Sequence, residues 1–147
     1  MKTINVRSVT VQNLMEFLED QEYVITEAGT EGDLTVYAVR RSEDEQPVFM
    51  WRTNGLLAFR AVLGAEDNIP ESRRPAFYRR VLDVNTEIKP LAVGLDTESD
   101  PAIFVVEAAL TYTNLDAGEV LGVLNAFDVH METVIDPILE EFLSRQR

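Results

Sequence analysis

Hydrophobic and polar positions along the chain alternate between two periods. Val11, Leu14, Leu18 and Gln21 recur at helical spacing, with Met15 and Phe17 at the margins of the stripe, so Val9 to Glu22 is predicted as a first helix. Ser8 and Thr10 are its candidate caps, since a hydroxyl can accept a free first-turn N–H. The period then drops to two. Tyr23–Glu27 and Asp33–Arg41 read as strands around a turn at Gly29–Gly32, and Ser42–Pro47 as a polar loop.

Val48 to Leu63 gives the clearest local signal. Asn54-Gly55 lies between two strand-like runs, and a two-residue type I′ turn needs positive φ at both central positions. That turn sets Thr53 opposite Leu56, Trp51 opposite Ala58 and Phe49 opposite Arg60. One face then carries Val48, Met50, Leu57, Phe59, Ala61 and Leu63, interrupted only by Arg52, and is expected to be the core face. The other carries Phe49, Trp51, Thr53, Leu56, Ala58, Arg60 and Val62, which is too apolar to stand bare in water. Phe49, Trp51, Leu56 and Val62 are therefore the candidate contact residues. A helix of the same chain, a second copy or a bound peptide could cover them.

Pro75 suits the first turn of a second helix, Ala76–Ile88, with Phe77, Val81, Val84 and Ile88 as its stripe and Pro90 as its end. Leu91–Leu95 and Ala102–Thr113 follow as strands. The longer is apolar on both faces, as an interior strand should be. Asn114 or Asp116 caps a last helix whose stripe is Val120, Leu124, Phe127, Met131, Val134, Ile138 and Phe142. Pro137 must bend or break it near Thr133, because proline removes a backbone bond and clashes with the preceding turn. The predicted fold is α+β: a twisted antiparallel β-sheet with helices packed on it, in the order α-β-β-β-β-α-β-β-α.

Length sharpens this to one domain over residues 1–147, large enough to bury a core without staples. With no cysteine there are no disulfides, thiolate nucleophiles or Cys-ligated zinc. No apolar run approaches a membrane span, and the N-terminus lacks the apolar core of a signal peptide, so the expected location is the cytoplasm. The net charge of −13 argues against nucleic acid and anionic membranes. From Pro90 to Ser144 there are eleven acidic residues and no Lys or Arg. That stretch is either a solvated face or a surface for a basic partner segment.

Candidate chemistry is sparse. His130 is the single histidine, and its helical neighbours Ala126, Phe127, Thr133 and Val134 offer neither an orienting group nor a nucleophile. Asp96, Glu98, Asp100 and Glu107 imitate a calcium loop, but Pro101 stands where the sharp turn needs glycine and Glu107 belongs to a strand. Arg73, Arg74, Arg79 and Arg80 crowd the second helix. They form a salt-bridged exposed face with Asp83 and Glu87, or Arg73, Arg74 and Arg80 grip an anion. No catalytic residue, cofactor site or metal site is assigned.

The order of elements resembles that of the YbjN-like proteins, which share a fold with type III secretion chaperones. The residues that carry the likeness are the Val48–Leu63 hairpin, the proline-led helix ending in Val84-Asn85, the two strands after it, and Leu115-Asp-Ala-Gly-Glu-Val-Leu opening the last helix. Asn85 falls where that family often places an asparagine. A fourth early strand and Pro137 depart from the secretion-chaperone pattern. The resemblance implies a small cytoplasmic homodimer that is not an enzyme and binds a protein or peptide partner, as a chaperone or regulator. The alternative from the residues alone is a small-ligand or anion sensor built on the arginine helix.

Overall fold

A computed structural model describes residues 11–113 and 115–143, and the candidate caps Ser8, Thr10 and Asn114 lie outside them. The elements are α1 (Val11–Asp20), β1 (Val24–Glu31), β2 (Leu34–Arg40), β3 (Val48–Thr53), β4 (Leu56–Ala65), α2 (Arg74–Val84), β5 (Ala92–Asp96), β6 (Ile103–Thr111), α3 (Ala117–His130) and α4 (Asp136–Leu143). Six strands form one sheet in the order β1-β2-β3-β4-β6-β5, so β6 is interior as expected. The fold is α+β, an antiparallel sheet with helices packed on it. Chain contacts group into two compact units, residues 1–61 with 108–124 and residues 62–107 with 125–147.

In the first unit the Asn54-Gly55 turn has φ of 49° and 77°, and it sets the predicted pairs Thr53–Leu56, Trp51–Ala58 and Phe49–Arg60. Leu14, Phe17, Leu18, Met50, Leu57, Phe59, Val120, Val123 and Leu124 are all buried and make this unit's core. Phe17 belongs to the centre of the α1 stripe rather than its margin, while Gln21 lies exposed beyond the helix.

The first turn is displaced from its expected place. Gly29 to Glu31 are strand, and the reversal is the two residues Gly32-Asp33, with Gly32 at φ 61°. The pairing of β1 with β2 shifts register between Glu27 and Gly29. This bulge absorbs Ala28, so Gly29 serves inside the strand and Gly32 makes the turn.

In the second unit Pro75 sits in the first turn of α2, as expected. The helix ends at Val84, short of Ile88, and its last turns tighten as Glu87 N–H and Ile88 N–H both reach the Val84 carbonyl. Ile88 keeps its core position although it is no longer helical. Phe77 packs edge-on to both Phe104 and Phe142, with ring centroids 4.8 and 5.1 Å apart, and so anchors α2 to β6 and α4.

Asp116 caps α3, its Oδ1 accepting the Gly118 N–H. Between α3 and α4 the chain makes a π turn over Met131–Ile135. Pro137 cannot donate to the Thr133 carbonyl, and the wider turn places the proline without the clash an α-helix would force. The Thr133 hydroxyl donates to the Val129 carbonyl at 2.7 Å within it. The extra residue of the π turn re-phases the stripe. Phe127, Ile135, Ile138 and Phe142 are buried, whereas Met131 and Val134 are only half-buried.

Candidate protein-binding surfaces

β3 and β4 present the candidate residues on the sheet face opposite the core. Strand alternation sends Met50, Leu57 and Phe59 inward, so Phe49, Trp51, Leu56, Ala58 and Arg60 must point the other way. Ala38 of β2, paired with Phe49, joins them and is buried between its neighbours. Phe49 and Trp51 are half-buried, Leu56 is 38% exposed, and Val62, further along β4 in the second unit, is 40% exposed. Among the described residues, Phe49 and Trp51 are covered in part and Leu56 is left open. The Arg60 guanidinium lies 5.9 Å from the centre of the Trp51 ring, a cation held at the edge of the apolar patch.

The charged interruption of the core face is also resolved. Arg52 stacks over the ring of buried Tyr112 at 3.9 Å while its head reaches solvent. The Tyr112 N–H donates to the Gly55 carbonyl, which ties the hairpin turn to the end of β6.

The three arginines proposed for an anion have different settings. Arg73 donates through Nη1 to the carbonyls of Glu141 and Phe142, at 3.0 and 3.4 Å, and stacks over the Phe142 ring at 4.5 Å. It thus closes the C-terminal end of α4, where free carbonyls attract a cation. Arg74 donates through Nε to the Ile69 carbonyl and approaches Asp67 at 3.7 Å. Arg80 lines a polar groove of roughly 450 Å³ with Asp83, Glu87, Thr133 and Pro137.

A second apolar surface was not legible in the sequence. Tyr78, Val81, Leu82, Val93, Leu95 and Phe104 line an open groove of roughly 350 Å³ between α2 and β5, with Leu82 66% exposed. The one available signal was that Leu82 is apolar but off the helix stripe. At its margin the Tyr78 hydroxyl donates to the Glu66 carboxylate. That bond, reinforced by burial, raises the tyrosine's pKa.

Asp96 lies at the end of β5, where its Oδ1 accepts the Glu98 N–H, and Glu107 pairs across from Ala92 on β6. Among the described residues, no three His, Asp or Glu side chains gather as a metal ion would require. His130 is half-buried at the last residue of α3. No helix of the described residues is long and apolar enough to cross a membrane.

The described residues thus form an α+β fold, an antiparallel sheet carrying helices, with an apolar groove beside α2 and a polar one at Arg80. The sequence matches CesT_Tir_1 over residues 7–143, and the chain belongs to that type III secretion chaperone-like family. No curated protein matches the chain.

Proposed function

We propose that this protein is a YbjN-like, non-enzymatic binding module, chaperone-like or regulatory, that works in the cytoplasm as a homodimer of single-domain subunits. The observation that carries the reading is the part-open aromatic strand face of Phe49, Trp51 and Leu56. Membership of a secretion chaperone-like family supports a protein partner. The net charge of −13 favours a partner segment with basic residues flanking its apolar ones. Such a segment would lay apolar side chains over Trp51 and Phe49, which offer large rigid contact areas of the kind that dominate protein interfaces.

The test is Trp51→Glu, read by circular dichroism, by mass in solution and by capture of apolar-basic peptides. A folded variant that loses peptide capture supports the partner role, and one that also falls from dimer to monomer places the dimer seam on the same face. A variant with unchanged mass and unchanged capture removes this face from the proposal. The anion-sensing alternative rests on Arg80 and its groove. It requires inorganic phosphate to raise the melting temperature, with Arg80→Ala abolishing the rise.

A further inference from the structure

We propose that Asn54-Gly55 is a self-modification site, held unreactive by the clamp that Tyr112 and Arg52 place on the hairpin turn. Both turn residues are exposed at the tip of β3 and β4, so water reaches them. Glycine after asparagine leaves the least hindered route to an internal imide, because no side chain crowds the attacking nitrogen. The Gly55 main-chain nitrogen bonds to the Asn54 side-chain carbonyl carbon and gives up its proton. The carboxamide nitrogen takes that proton and leaves as ammonia. Water then opens one of the two imide C–N bonds. Opening at the former side-chain carbonyl leaves aspartate. Opening at the main-chain carbonyl leaves isoaspartate, in which the chain runs through Cβ.

The folded turn withholds this reaction. Ring closure needs the Gly55 nitrogen on the same side of the Asn54 Cα–C bond as Cβ. Asn54 has φ of 49°, in the left-handed region where ψ is about +47°. For an L-residue, that rotation sends the next nitrogen to the side opposite Cβ. The nitrogen and the carbon it must attack are therefore kept apart for as long as the type I′ turn persists. Three contacts hold the turn. Thr53 pairs with Leu56 across it. The Tyr112 N–H donates to the Gly55 carbonyl at 2.8 Å. Tyr112 is itself buried, with the Arg52 guanidinium stacked 3.9 Å from its ring centre. Asn54 cannot swing its ψ far without releasing one of them.

The product does not fit the fold it comes from. Isoaspartate lengthens a two-residue loop by one main-chain atom, and loop length fixes hairpin register. An opening of the turn that ends in the imide is thus recorded permanently, beside the register that separates Phe59 from Trp51. The assignment holds whether or not the strand face binds a partner.

The experiment incubates wild type, Arg52→Ala and Arg73→Ala in mildly alkaline buffer, with wild type in concentrated urea as reference. Peptide mapping by mass spectrometry, resolving aspartate from isoaspartate, follows conversion at Asn54. Folded wild type should convert at least about tenfold more slowly than the urea-unfolded chain, since reaction waits on local opening. Arg52→Ala should convert about fivefold faster than folded wild type, the population factor of a lost cation–π pair. Arg73→Ala, whose lost contacts lie on α4, should keep the wild-type rate. Equal rates in folded and unfolded wild type overturn the inference, as does no conversion in urea. A wild-type rate in folded Arg52→Ala, or an equal rise in Arg73→Ala, overturns the clamp. Should Arg52→Ala not fold, Arg52→Lys takes its place, with a smaller rise expected and an unchanged rate overturning the clamp.

Discussion

The Arg52 guanidinium sits 3.9 Å from the centre of the Tyr112 ring, joining β3 to the residue just after β6. A charge at a core-facing position is thus spent on an aromatic face, with its head in water. Arg52→Ala should lower stability by about 1 kcal/mol, as a half-exposed cation–π pair does. Arg52→Lys should cost less, because the stem and charge remain. Urea denaturation of the three proteins checks the order.

Arg73 should matter to stability rather than to binding. Arg73→Ala removes two hydrogen bonds to the carbonyls of Glu141 and Phe142 together with the stacking on Phe142. A loss of about 1–3 kcal/mol is expected, since bonds from a charged donor are among the stronger ones. Faster amide exchange confined to α4 and the π turn would accompany it.

The two faces of the hairpin should respond differently to truncation. Phe59 is fully buried, so Phe59→Ala should cost about 3–5 kcal/mol through lost transfer energy and the cavity left behind. Trp51, half-buried on the opposite face, should cost clearly less as Trp51→Ala while losing partner capture. Paired melting and capture measurements distinguish the core residue from the contact residue.

Asp136 gives a pH dependence with a defined sign. Burial, followed by the neighbouring charges of Glu140 and Glu132, raises its pKa above the ordinary aspartate value. The folded state therefore binds this proton more readily than the unfolded chain. The associated stability is full in acid, below the unfolded value, and is lost as pH rises through the folded one. Asp136→Asn should melt above wild type at neutral pH, and the gap should close below the normal carboxylate range. Melting curves at pH 7 and pH 3 check both halves.

Local chemistry made much of the fold legible. Asn54-Gly55 sets a hairpin register because few residues accept positive φ twice in succession, and that register separates Phe59 from Trp51. Pro75 marks a helix start because its missing N–H costs nothing in the first turn, and Asp116 because its carboxylate accepts a free first-turn N–H. The reading was weaker where several solutions satisfy the same local rules. Gly29 and Gly32 both suit a turn, and the bulge at Ala28 decides between them. Pro137 requires a disturbance of the last helix, but a π turn rather than a kink puts Ile135 in the core instead of Val134.

By itself, the sequence determined the order and kind of elements, the split of the hairpin into a core face and an aromatic reverse face, and the absence of cysteine chemistry. These follow from periodicity, turn conformations and composition, all of which act within a few residues. The tertiary structure alone decided what long-range contacts decide. It brought Asn85 to the main chain of Val93, set Arg73 on the carbonyls of α4, and opened the groove between Leu82 and Leu95. A carboxamide, a guanidinium and an off-stripe leucine have many possible partners along a chain, and only the packing of whole elements selects among them.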